Sequence, residues 1–178
     1  APKSFWIAAV ISLGPTAANK WPLLFVCVFR VISFPTNDSY NFFSFLFSFC
    51  YKPFLSYEIG AKGICWEYPK GIYNKSYLTK NKYLYHNRIS KLLIDKKIIS
   101  ELNQRLAKYY DYLLIDEIQD FGGNDFNLLI EISKANMNIL FVGDFFQHTF
   151  STSRDKNTNQ SLHKDLNTFV NKFTKIGI

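Results

Sequence analysis

Leu113-Leu114-Ile115-Asp116-Glu117-Ile118-Gln119-Asp120 is the stretch on which the fold turns. An apolar strand starting at Tyr112 runs straight into a carboxylate pair, and open α/β sheets bind their ligands at that carboxyl edge. About twenty-five residues on the pattern returns as Ile139-Leu140-Phe141-Val142-Gly143-Asp144-Phe145-Phe146-Gln147, a second apolar strand stopped at an acidic residue. Between them, 125–135 carries amphipathic helical spacing, with Asn124 or Asp125 as its cap. Strand, helix and strand with acidic residues at the strand ends predict an α/β fold built on a parallel sheet.

Upstream, Ile89, Leu92, Leu93, Ile98, Ile99, Leu102 and Leu106 recur at three- and four-residue steps, so 86–110 reads as helical. Residues 56–85 mix Gly60, Gly63, Pro69 and Gly71 with many Tyr and Lys, and read as irregular or as a small inserted subdomain. The aromatic run 41–55 fits a buried helix, and 35–39 a turn-rich break. Leu23–Ile32 is a continuous apolar run, expected to be a parallel strand covered on both faces. Residues 5–13 read as a further strand ending in a Gly14-Pro15 turn. Downstream, 151–163 is polar and loop-like, and 166–173 suits a closing helix.

Composition bounds the function. The 178 residues are 48% hydrophobic and 20% charged, which suits a globular chain with a real core. The net charge of +7 is uneven: residues 61–110 hold eleven basic and three acidic side chains, residues 111–178 six basic and nine acidic. A basic middle beside an acidic end suits contact with a polyanion through one part and with a metal through another, although a solvated lysine-rich surface looks the same. Cys27, Cys50 and Cys65 lack disulfide or zinc spacing and point to a reducing, cytoplasmic setting. The apolar run 21–34 is too short to span a bilayer and contains Arg30, so no membrane association is expected.

The two strand ends also suggest chemistry. Asp116 offers the hard oxygen that Mg²⁺ prefers, and Glu117 could polarise a water for attack on a γ-phosphate. The Gln147 amide is placed to sense that phosphate. An Asp-Glu dipeptide alone is also what a strand capped by a polar turn would show. His148 and His163 lack ligand spacing and read as solvated or core histidines.

LLIDEIQDF followed by ILFVGDFFQHTF resembles motifs II and III of UvrD/Rep-type superfamily 1 DNA helicases, with their DExQD and GDxxQ elements in the same order. The resemblance implies a partial RecA-like P-loop NTPase domain. Residues 1–55 would be its divergent N-terminal part, 56–110 a basic, partly helical insertion, and 111–178 the core with Walker B and motif III. It implies ATP and Mg²⁺ as cofactors and single-stranded or partly duplex DNA as partner. Asp116 would bind the metal, Glu117 would be the catalytic base, and Gln147 would link phosphate to DNA. Phe150 resembles an aromatic that stacks on single-stranded bases, though Thr152 replaces the aromatic usual two positions later. Asn41-Phe42-Phe43-Ser44-Phe45 is similar to a T-x-H-S-F element, which implies strand contacts for Ser44 and Phe45.

The sequence departs from that family at the phosphate loop. G-x-x-x-x-G-K-[ST] does not occur. Gly14-Pro15-Thr16-Ala17-Ala18-Asn19-Lys20-Trp21 keeps Gly14 and Lys20 but has Asn19 and Trp21 where glycine and hydroxyl belong, so it is an eroded loop or simply a turn. The arginines of a second motor domain are expected from outside this chain, from that domain or a partner subunit. The expectation is a helicase, or a fragment of one, that binds Mg²⁺ and nucleotide weakly and does not unwind DNA alone. The alternatives are a non-catalytic nucleic-acid-binding protein using the basic segment 70–108, and a metal-dependent nuclease using Asp116, Glu117, Asp120 and Asp144.

Overall fold

A computed structural model describes residues 7–8, 25–29, 37–70, 76–148, 151–153 and 158–174. Its main sheet has five strands in the order β1-β7-β6-β2-β3, and a two-stranded sheet pairs β4 with β5. The strands are β1 Ile7–Ala8, β2 Phe25–Phe29, β3 Asn37–Asn41, β4 Gly63–Cys65, β5 Tyr83–Tyr85, β6 Tyr112–Ile115 and β7 Asn138–Val142.

The expected strand-helix-strand unit is present. β6 and β7 pair in parallel, Leu113 opposite Ile139 and Ile115 opposite Phe141, joined through helix α5 (Gly123–Ile132). β1 extends the parallel part by pairing with β7. The other half corrects the expectation of a parallel sheet: β2 runs antiparallel to both β6 and β3. A continuous apolar run predicts a strand but carries no direction. Only seven residues separate Phe29 from Asn37 in the sequence, whereas a parallel crossover needs a dozen or more. The stretch 35–39, read as a turn-rich break, overlaps the first residues of β3.

Helical structure follows β3 without a gap. A turn at α1 (Phe42–Ser44), capped by the Asn41 side chain on Ser44 N, leads into a π-helical stretch Phe45–Tyr51 and then α2 (Lys52–Ile59). The π turns suit the crowding of aromatics here: Phe45 stacks on Phe49 and Phe47 on Tyr51. Gly60, at φ 65°, ends α2 in the left-handed conformation that glycine adopts most easily. The single helical pattern expected over 86–110 divides into α3 (Ile89–Asp95) and α4 (Ile99–Tyr109), with Lys97 at φ 56° between them.

The core lies where these helices meet the sheet. Leu92, Leu93, Leu102 and Leu106 are buried with Leu113, Ile115, Ile139 and Phe141 of the strands. Helix α6 (Leu166–Thr174) docks through Phe169 and Phe173, which pack on Phe126, and Phe173 also meets Phe141. Burying such a side chain contributes roughly 1.5–3 kcal/mol, so three or four rings suffice to fix α6 beside the carboxyl ends of β6 and β7. Gly122 occupies the N-cap of α5 without a side-chain bond, which corrects the expected Asn124 or Asp125 cap; Asp125 is instead buried in the first turn. Among the described residues no helix is long and apolar enough to cross a membrane.

Candidate active site

The loop after β6 turns sharply at Glu117, whose φ of 54° is left-handed. A non-glycine residue there costs of order 1–3 kcal/mol and persists only where its surroundings hold it. Several bonds do so. Glu117 N donates to Asp116 Oδ1 at 2.8 Å, and Glu117 O accepts from Asp120 N at 2.9 Å. The Glu117 carboxylate accepts from the side-chain amide of Gln119.

Gln119 is the clamp between the two strand ends. It is 2% exposed, its amide nitrogen engages Glu117, and its Oε1 accepts from Asp144 N at 3.1 Å. One buried amide thereby sets the spacing of the loops after β6 and β7. Gly143 permits this approach: a Cβ there would lie 2.2 Å from Gln119 Oε1 and 3.0 Å from Ile118 N. Asp144 caps the following 3-10 turn, Phe145–Gln147, by accepting from Phe146 N at 3.0 Å.

Behind the loops, Asp120 is buried and serves the scaffold. Its carbonyl accepts from Thr152 N at 2.9 Å, and its Oδ1 lies 3.4 Å from His148 Nδ1. His148 and His163, which sequence spacing does not pair, are stacked in parallel with ring centroids 3.8 Å apart. His163 Nε2 reaches Gln119 O at 2.7 Å. Burial, helped by the charge of His148, lowers the His163 pKa below its ordinary 6.5, against the opposing bond to Gln119. Among the described residues no group of three or more His, Cys, Asp or Glu is placed to hold a metal ion.

Asp116 stands exposed at the end of β6, with one carboxylate oxygen held by the Glu117 N–H. A hard oxygen donor at the carboxyl edge of a parallel pair fits Mg²⁺, which commonly takes one or two protein carboxylates and leaves its other positions to water and phosphate. Gln147 is exposed at the end of its 3-10 turn. The structure thus brings Asp116, Glu117 and the Gly143–Gln147 segment to one edge. Gly14, Lys20 and Phe150 lie outside the described residues. Ser44 is half-buried, and Phe45, 1% exposed and stacked on Phe49, turns its ring into the core. In this conformation it offers no face to a base.

Two residues received no role from sequence reasoning. Gln119 stands inside the DExQD element, but its position between the two loops depends on the sheet register. Phe146, 83% exposed, is the large aromatic that projects at this edge. Its neighbour Phe145 packs on Phe169, which a run of two phenylalanines does not reveal.

Comparison with curated proteins and with solved structures yields no match. The profile of the UvrD/REP helicase N-terminal domain matches residues 71–164, more than half of the 178. That span contains both strand ends, the clamp between them and the two stacked histidines. The chain belongs to the UvrD/REP helicase N-terminal domain family.

Proposed function

We propose that this chain carries the Mg²⁺-nucleotide edge of an ATP-dependent DNA helicase, in which ATP hydrolysis is coupled to movement along single-stranded DNA. The observation that carries the reading is the strained Glu117, locked through Gln119 to the loop that bears Asp144 and Gln147. Strain held by a buried polar clamp is the arrangement expected where a reacting group must be positioned.

In this reading Asp116 holds the metal, directly or through water. Bound Mg²⁺ supplies neutralisation of the charge that builds on the phosphoryl oxygens. Glu117 accepts a proton from the attacking water, and its bond to the Gln119 amide fixes the direction of its carboxylate. Because Gln119 also holds Asp144 N, a shift at Gln147 on nucleotide or DNA binding is transmitted to Glu117 through one side chain. Phosphate-loop contacts by Gly14 and Lys20 belong to the same proposal, as do strand contacts by Ser44 and Phe150.

A single-turnover assay of ATP hydrolysis with protein in excess reads even a slow rate. Glu117→Gln is expected to lower phosphate release by about 10²-fold or more, the usual contribution of a general base, while nucleotide affinity stays within about twofold. Equal rates for the two proteins would remove Glu117 from the chemistry.

A further inference from the structure

The three histidines of the chain stand in two different settings. His86 sits behind Tyr68 of an open cleft beside β4 and β5, lined by Cys65, Tyr68, Lys80 and Tyr83 among others. His148 and His163 lie instead against the loop that carries Glu117. Their rings are parallel within 3° and 3.8 Å apart between centroids, so they form one unit.

That unit touches two consecutive residues of the loop, Gln119 and Asp120. His163 Nε2 reaches Gln119 O at 2.7 Å, and His148 Nδ1 lies 3.4 Å from Asp120 Oδ1. A carbonyl can only accept, so Nε2 of His163 carries the hydrogen. Gln119 in turn holds the Glu117 carboxylate and Asp144 N through its side chain. The stack is therefore the support behind the clamp.

Charge decides what the stack tolerates. Asp120, itself buried, faces His148 from the loop after β6. Glu117 is engaged by the Gln119 amide, and Asp144 in the loop after β7 caps its own turn at Phe146 N. Lys164 and Asp165, next to His163 in the chain, are exposed, and Asp165 is tied to Thr168. Helix α6 presents the ring of Phe169, 6.0 Å from His163. Among the described residues this leaves Asp120 as the close counter-charge for two imidazoles. One proton is accommodated, on His148 beside that carboxylate. A second sets two like charges at stacking distance in a half-buried setting, where they repel strongly. His148 is held by a carboxylate and His163 by a neutral carbonyl, so His163 is the ring that yields to solvent and gives up Gln119 O.

We propose that His148 and His163 are positioning residues for Glu117, acting through Gln119, and hold it only while the stack carries at most one proton. The consequence for ATP hydrolysis rests on the strand-end reading; the coupling of the stack to Gln119 does not.

The test follows the Gln119 side-chain amide and the imidazoles by NMR, in the whole chain without Mg²⁺ or nucleotide, from pH 7.5 to 5. The Gln119 signal is expected to shift with the titration of His163 and not with that of His86. In His148→Phe, which keeps a ring in the stack but takes no proton, both midpoints should move together to higher pH. In His163→Gln, whose amide can still donate to the carbonyl, the Gln119 signal should lose most of its pH dependence. Midpoints of Gln119 and His163 that differ in the unmodified chain overturn the proposal, as does a Gln119 signal indifferent to pH. Neither of these outcomes needs a variant, so a variant that fails to fold leaves the test intact. A full Gln119 shift in folded His163→Gln also overturns it. Single-turnover ATP hydrolysis then reads the consequence. Between pH 7.5 and 5.5 the rate should fall about tenfold in the unmodified chain and less than about twofold in His163→Gln. Equal falls overturn the positioning role. A chain that hydrolyses no ATP at any pH overturns the strand-end reading alone, and the NMR result still decides the coupling.

Discussion

The ends of β6 and β7 and the cleft beside β4 and β5 are built on opposite plans. At the strand ends the polar groups are buried or locked: Gln119 bonds in two directions, Glu117 is held in a left-handed turn, and Gly143 leaves no room for a Cβ. At the cleft the large groups face solvent, supported from behind by ring contacts. The first plan suits a reaction, where a displacement of about 1 Å can cost a hundredfold in rate. One chain thus holds its buried polar groups under strain at one place and exposes supported rings at another.

Two glycines put this contrast to the test most severely. Gly143→Ala forces a Cβ against Gln119 and the Ile118 backbone, and is expected to destabilise by about 2–3 kcal/mol, as overpacking does. Gly63→Ala in β4 meets only the Tyr83 ring, at 3.3 Å and beyond. Its expected effect is about 0.5 kcal/mol in either direction, because the exposed Tyr83 ring can give by the few tenths of an ångström required. Urea denaturation of the two variants measures both, and equal losses would erase the contrast.

The smaller effect concerns pH and touches both regions. His163 behind the strand ends and His86 behind the cleft both have pKa values lowered from 6.5, chiefly by burial. The unfolded chain takes up these protons first. Stability is therefore full above the unfolded value, and it falls as pH drops through about 6.5 toward the lower folded values. Urea midpoints between pH 7.5 and 5.5 should decline, and His163→Gln should make the decline shallower without abolishing it, because His86 remains. An unchanged slope in that variant would show that His163 does not contribute.

The two regions also differ in how far the sequence reveals them. The strand-helix-strand core was legible because an apolar strand stopped by a carboxylate is a local pattern, and β6 occupies the expected Tyr112–Ile115. The direction of β2 was not legible, since a continuous apolar run looks alike in either orientation. The split between α3 and α4 was hidden as well, because Lys97 adopts its left-handed turn without glycine or proline to mark it. At the site, Asp116 and Glu117 were visible in the motif. The double duty of Gln119 depends on two loops meeting, and the stacking of His148 on His163 on a contact across fifteen residues. The cleft shows in sequence only as lysines and tyrosines among glycines. Its lining comes together when β4 pairs with β5, which no local pattern announces.

The central claim, that the strand ends form a Mg²⁺-nucleotide edge, is tested most directly by binding of a fluorescent ATP analogue with Mg²⁺ and with EDTA. The expected result is tighter binding with Mg²⁺, and a loss of that gain by about tenfold or more in Asp116→Ala, as when metal sites lose a supporting group. Binding that is indifferent to Mg²⁺, or a Mg²⁺ effect that survives Asp116→Ala undiminished, would contradict it.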